Sequence, residues 1–385
     1  MGIYEKLGVR TVINANATRT DLGGSLMPAP VLDAMREAAG SFVDMYELQR
    51  AVSARLAQVT HNEAALVSNG CAAGLFLGAL ACMTRDDLGV VARLMEQGPA
   101  ALQRSEVVIH AAHRNPYDPA IKLAGASIVQ VGNVWQTFDW ELAGALGERT
   151  AAVFYFYGNR QRSQGALPLE KVIEIAHAAN VPVLVDGAAQ LPPVENLWRF
   201  TQMGADLAFF SGGKGLRGPQ ASGLIVGRRD LIDACALHAA PNQRLGRPMK
   251  VGKEEMVGLL AAVELYVAMD QADFRAANEA VVAGWVEVVG TIPGVVARRD
   301  FPSEAGQSVP RAHIAFAPPI GITGAGVSAA LLAGTPSISV AVADDGGVFL
   351  NPETLAPGED RIVADRLVEV IRSATQGRTL AASGS

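Results

Sequence analysis

Short apolar runs rich in Val, Ile and Phe recur along this chain at 64–67, 153–157, 181–185, 205–210 and 221–226, with a strand–loop–helix–strand stretch over 107–131. Several are spaced by enough residues for one helix, such as 169–179 behind Pro168. This repetition constrains the fold more than any other feature. Parallel neighbours need a crossover between them, the crossover is right-handed, and the helices it supplies cover the sheet. An α/β protein built on a mostly parallel sheet is expected, with ligands gathering at the carboxyl ends of its strands.

Two of those ends carry chemistry. The run Val181-Pro182-Val183-Leu184-Val185 stops at Asp186 and continues into the small residues Gly187-Ala188-Ala189 and then Gln190. The run ending at Phe210 opens into Ser211-Gly212-Gly213-Lys214-Gly215, a lone lysine in a loop of small residues. Glycines let the backbone bend closely around a bound group. Partial burial lowers a lysine pKa toward the range where its amine is a nucleophile. The combination suits a lysine that forms a Schiff base. Pyridoxal 5'-phosphate (PLP) needs an anion beside its pyridine nitrogen to act as an electron sink. Asp186 is the candidate anion and Lys214 the candidate covalent lysine, although a strand-end Asp is more often a helix cap. A third strand end leads through Ser68-Asn69 into Gly70-Cys71-Ala72-Ala73. Small residues at a helix start leave backbone N–H groups open to a phosphate, so Gly70, Cys71 and Ala72 are assigned to one.

The segments DGAAQLPP (186–193), GAD (204–206) and FFSGGKGLRGPQASG (209–223) resemble the selenocysteine-synthase-like branch of fold-type-I PLP enzymes. YEKLGVR (4–10) and GRPMKVGKEE (246–255) extend the likeness, most closely to its D-glucosaminate-6-phosphate ammonia-lyase members. The resemblance implies a seven-stranded, mostly parallel large domain over 29–250, after an N-terminal arm (1–28) and before a smaller α/β domain (251–385). It implies PLP as cofactor, a homo-oligomer of at least two chains, and the phosphate loop at Ser68, Asn69, Gly70, Cys71 and Ala72. It places Ala188, Gln190 and Ser211 around the cofactor and a flat ring on its outer face, for which His113 is chosen, with His110 and Tyr117 as fallbacks. Asn16, Thr18 and Arg19 of the arm become substrate contacts, and Arg311 a carboxylate holder. Arg114 either meets an acidic substrate group or closes a surface ion pair. The reaction implied is α,β-elimination from an amino acid or amino-sugar acid to a keto acid, with Lys214 as general base. Racemisation and selenium- or sulfur-transferase-like β-replacement are the alternatives.

Net charge −6 and the lack of a long basic run argue against an extended nucleic-acid surface. No uninterrupted apolar stretch is long enough for a membrane span, and the opening MGIYEKLG is not a secretory leader. Cys71, Cys82 and Cys235 have no metal or pairing spacing; they read as small core residues in a reducing cytoplasm, and no metal is expected. The arginines of loop 158–165 are further substrate candidates, and His61 reads as a turn or surface residue. Gly324-Ala325-Gly326-Val327-Ser328-Ala329 matches a dinucleotide-binding pattern, but Gly334-Thr335-Pro336 cuts its helix short.

Overall fold

The computed structural model describes residues 2–158 and 164–382. The chain divides into two compact units. One comprises Ser25–Met269 with Ala305–Gln307; the other holds the residues up to Gly24, Asp270–Glu304 and the residues from Ser308 on. The division falls after helix Lys253–Ala268, later in the chain than position 250.

The strands, in chain order, are β1 Val12–Ala15, β2 Ala64–Ser68, β3 Glu106–His110, β4 Ser127–Val131, β5 Thr150–Phe156, β6 Val183–Asp186, β7 Leu207–Ser211, β8 Gly223–Gly227, β9 Val295–Asp300, β10 Arg311–Phe316, β11 Ser337–Val342 and β12 Val348–Leu350. The first unit holds a seven-stranded sheet in the order β2-β8-β7-β6-β5-β3-β4, in which only β8 runs antiparallel to its neighbours. Strands buried on both faces feed two cores by alternation. Val183, Val185, Ala208 and Phe210 point into one, and Leu184, Leu207 and Phe209 into the other. Helix Gly70–Thr84 is apolar all round, GCAAGLFLGALACMT, and is buried from Ala73 to Thr84, as such a helix must be. Gly78 lets it lie flat on the sheet: a Cβ there would stand 2.6 Å from Cζ of Phe209.

In the second unit, β1-β11-β12-β10-β9 form a smaller sheet over a core that includes Trp285, Ile314 and Leu350. The opening segment, read from sequence as an extended arm and loop, contributes β1, which pairs parallel with β11 from Val12↔Ser337 to Ala15↔Val340. Helix Gly324–Ala333 carries the glycine pattern, but its start is spent on the protein itself. Thr323 caps Gly326 N–H, and Gly324 lies against the backbone of Gly346 and Gly347.

Asp206, the acid of the GAD segment, ties three strands of the large sheet together. It is 3% exposed. Its Oδ2 accepts the Val183 N–H (2.7 Å) and faces His177 Nε2 (2.9 Å), its Oδ1 accepts Arg228 (2.6 Å), and its carbonyl accepts Arg228 N–H. Replacing Asp206 by Ala strands the Val183 N–H where water does not reach. It is expected to lower unfolding free energy by about 2–3 kcal/mol, read by urea denaturation. A change within about 0.5 kcal/mol contradicts this role.

Candidate functional site

β2, β3, β5, β6 and β7 are mutually parallel, so Ser68, His110, Asp186 and Ser211 end their strands on one edge of the large sheet. Register sets them side by side: Asp186 pairs with Phe156 and Phe209, and Gly223 lies between Ser68 and Ser211. Every loop singled out for the cofactor therefore leaves the same edge.

Asp186 is 8% exposed at the end of β6. Its Oδ1 accepts the Ala188 N–H at 2.8 Å and faces the Cys71 thiol at 3.7 Å. Burial raises its pKa; the Ala188 N–H, the Lys214 ammonium and the Cys71 thiol work the other way. Burial and the Asp186 charge hold the Cys71 thiol well above its usual range, with Lys214 again opposing. Asp186, Lys214 and Cys71 thus feel one another's charges. Cys71 was read as a small core residue and a backbone phosphate contact; its side chain proves to face the carboxylate. Its place on the first turn of a helix starting on that edge is the signal that points there.

Lys214 is half-buried in a loop with no slack. A Cβ at Gly213 would stand 2.5 Å from Oε1 of Gln220, and one at Gly215 2.5 Å from the Leu191 carbonyl. Ser25, a residue sequence reasoning passed over, donates its hydroxyl to the carbonyls of Gly213 and Lys214, each at 3.0 Å. Arg217, held in the left-handed region at φ 55°, donates to the Leu26 carbonyl. Ser211 N–H meets the Ala188 carbonyl at 3.3 Å, joining the lysine loop to the aspartate loop. Gln190, 4% exposed, donates from Nε2 to the Ala305 carbonyl at 2.8 Å.

Helix Gly70–Thr84 begins on this edge with no side chain capping it: Asn69 turns instead to the Lys250 carbonyl, and Ser68 Oγ donates to the Gly70 carbonyl. Gly70 takes φ 76°. Gly223 presses on this start so closely that a Cβ would lie 2.5 Å from the Gly70 carbonyl carbon and 2.7 Å from Cys71 N. The opening N–H groups of this helix can receive an anion. Ala72 is exposed and Gly70 and Cys71 are half-buried.

His113 is 3% exposed and His110 fully buried, and Tyr155 lies edge-on to both rings. Tyr117, by contrast, is half exposed. Arg114 closes an ion pair with Asp118 at 2.6 Å and bonds Gln130. In the second unit, Arg19 grips Asp21 with two bonds, and Arg311 is held by Asp300 at 2.6 Å and lies 3.6 Å over Phe349. Among the described candidates, Arg19, Arg114 and Arg311 each hold a carboxylate of this chain. Asn16 bonds Ser339 Oγ at 3.2 Å, and Thr18 is half-buried. Arg160 and Arg162 lie outside the described residues. His61 is exposed at φ 53° and packs edge-on to Trp198.

Burial lowers the pKa of His110 from 6.5 to about 4 and of His113 to about 3, and of His238, beside Thr84, to about 4. The unfolded chain therefore binds protons that the folded chain refuses as pH falls below 6.5. Stability is complete above that value and drops by about 1.4 kcal/mol per pH unit for each histidine until the folded pKa is reached. The raised pKa of Asp186 acts with the opposite sign, one group against three. Thermal melts of cofactor-free protein are expected to give a lower Tm near pH ~5 than near pH ~7; an equal or higher Tm contradicts neutral burial of these rings.

Comparison with known proteins places this geometry. The family described as L-seryl-tRNA selenium transferase matches residues 9–278. The chain is 33% identical over 379 residues to D-glucosaminate-6-phosphate ammonia lyase of Salmonella typhimurium, covering 97% of this chain and 98% of that one. It is 34% identical over 381 residues to 5'-C-glycyluridine monooxygenase-decarboxylase of a Streptomyces species, covering 96% and 92%. A solved structure of D-glucosaminate-6-phosphate ammonia-lyase superposes with a TM-score of 0.84 at 31% identity, over 97% of this chain and 99% of that one. A structure described as SPT with PLP internal aldimine, at 15% identity and a TM-score of 0.57, shares the fold alone. The chain belongs to the L-seryl-tRNA selenium transferase family and has the fold of the fold-type-I PLP enzymes.

Proposed function

We propose that this protein is a PLP-dependent lyase that removes the β-oxygen and the amine of an α-amino acid by α,β-elimination, yielding a keto acid. The observation that carries this reading is the buried Asp186 carboxylate, within the field of the Lys214 amine, on the same sheet edge as an uncapped helix start. An anion, a lysine and open backbone donors are what a phosphorylated pyridine aldehyde requires of its host.

In this reading the N–H groups of Gly70, Cys71 and Ala72, with Ser68, Asn69 and Ser211, would hold the phosphate, and Asp186 would hold the pyridinium proton. Ala188 and Gln190 would flank the ring, and His113 would have to turn out of its buried place beside Tyr155 to cover its outer face. When bound, PLP supplies an electron sink for the charge that develops on the substrate's α-carbon. Lys214 Nζ takes the α-proton as general base, and the taut loop around it keeps that nitrogen near its target. The low dielectric around Asp186 strengthens its hold on the ring proton.

The substrate class comes from what the relatives' names have in common. D-glucosaminate 6-phosphate, a seryl ester and 5'-C-glycyluridine each carry an amine on the carbon next to an acyl group and oxygen on the carbon beyond. A β-oxygenated α-amino acid is the shared element. Arg19, Arg114 and Arg311 each already pair with a carboxylate of this chain, so a second acidic group of the substrate would have to displace one of those partners or meet another cation. The 34% identity to a monooxygenase-decarboxylase favours one second reading, oxidative decarboxylation of the same substrate class. We place the enzyme in the cytoplasm, acting on a small molecule as a dimer or larger assembly. The apolar surface residues Phe42, Val43 and Tyr46 support association, and no described helix is long and apolar enough to cross a membrane.

A panel of D- and L-β-hydroxy-α-amino acids and amino-sugar acids tests the reading, with keto acid, ammonia, oxygen uptake and α-deuterium exchange followed together. Keto acid with ammonia and no oxygen uptake is expected. Oxygen uptake with carbon dioxide release points to the decarboxylase chemistry, and exchange without keto acid to racemisation. Lys214→Ala is expected to abolish turnover, and Asp186→Asn to reduce it about 100-fold or more. Unchanged turnover in Lys214→Ala ends the proposal.

A further inference from the structure

The hydrogen bonds to the Asp186 carboxylate both land on the same oxygen. Oδ1 accepts the Ala188 N–H at 2.8 Å and lies 3.7 Å from the Cys71 thiol, whereas Oδ2 has no hydrogen-bond partner among the described residues. The two donors come from different parts of the sheet edge. Ala188 sits on the turn after β6, which is held by Gly187 N–H on the Phe209 carbonyl and Gln190 N–H on the Gly187 carbonyl, both at 2.9 Å. Cys71 sits on the first turn of helix Gly70–Thr84, with Gly223 packed against its backbone nitrogen. The Cβ–Cγ torsion of an aspartate is broad on its own, so contacts decide where its oxygens point. Two donors on Oδ1, from two elements, fix that torsion and leave Oδ2 as the open oxygen. Cys71 is half-buried at the margin of one core, and the same turn continues with Ala72 and Ala73. What a thiol adds there to an alanine methyl is a weak donor, available while it is protonated. Burial and the neighbouring carboxylate keep it so at neutral pH.

We propose that Cys71 is a positioning residue for Asp186: its thiol holds Oδ1 in place, so that Oδ2 is the oxygen presented to the pyridine nitrogen of PLP. The same bond favours the charged form of the carboxylate and works against its burial. The inference rests on the lyase reading, in which Asp186 is the anion beside that nitrogen. It concerns the side chain alone, since the Cys71 N–H assigned to the phosphate survives a change to Ala.

The test has a cofactor-free arm and a loaded arm. In cofactor-free protein, iodoacetamide alkylation of Cys71 is timed by peptide mass mapping, which separates it from the buried Cys82 and Cys235. The thiolate is the reactive form, and the Asp186 charge opposes its formation. Asp186→Asn is expected to speed alkylation at pH ~8 by about 3-fold or more, after the weaker nucleophilicity of a more acidic thiol is counted. An unchanged or slower rate overturns the proposal. In the loaded arm, PLP affinity is read from the visible band between pH ~5 and ~8 in wild type and Cys71→Ala. Losing a donor raises the pKa of a carboxylate, so Asp186 takes up its proton earlier as pH falls. Cys71→Ala is expected to lose PLP affinity at a higher pH than the wild type, and to bind PLP about 3-fold or more weakly at pH ~6. Superimposable pH profiles, or a loss of affinity equal at every pH as a packing role would give, overturn the proposal. Any of these failures beside a wild type that shows the PLP band overturns this inference alone. A wild type without the band overturns the lyase reading and this inference with it.

Discussion

A buried carboxylate sets the terms for everything around it. Asp186 ends a strand between two parallel neighbours, where water is nearly excluded, and burial opposes its charge. What holds the charge there is local: the Ala188 N–H two residues on, the Cys71 thiol across the sheet edge, and the field of Lys214. A negative group so placed favours a cationic partner. The seven-stranded sheet brings β2 and β7 to the same edge, so that a helix start and a lysine loop reach the same place.

Absence of side chains sets the distances among these parts. Gly78 lets the helix lie on Phe209, Gly223 lets its first residues meet β8, and Gly213 and Gly215 let the lysine loop close on Gln220 and Leu191. Each is a close approach that a methyl group would prevent. Ser25 adds a polar clamp on the carbonyls of Gly213 and Lys214. Contacts of this kind fix the backbone on either side of Lys214, which is the support a positioned base would need.

The large unit was legible in the sequence because its strands are buried on both faces. A strand such as Val183-Leu184-Val185 needs no partner to be recognised, and the residue at its carboxyl end is then found by counting. The smaller unit was less legible. β1 is only Val12-Ile13-Asn14-Ala15, four residues with one polar side chain among them, and becomes a strand by pairing with Ser337–Val342 far along the chain. The partners of the arginines were hidden for the same reason. Arg311 faces Asp300 directly across an antiparallel pair, a partnership that register creates and linear spacing hides. Arg114 and Asp118, four residues apart, were open to notice, and the ion pair was one of the two readings considered. The Cys71–Asp186 contact joins residues from two strand ends and could be seen only once the strand order was known.

The account stands on a covalent link between PLP and one amine, and borohydride reduction of the PLP-loaded protein followed by peptide mass mapping reads that link directly. The pyridoxyl mass is expected on the peptide containing Lys214, and to disappear from that position in Lys214→Ala. Its appearance on another lysine, or no modified peptide from protein that has taken up PLP, contradicts the account.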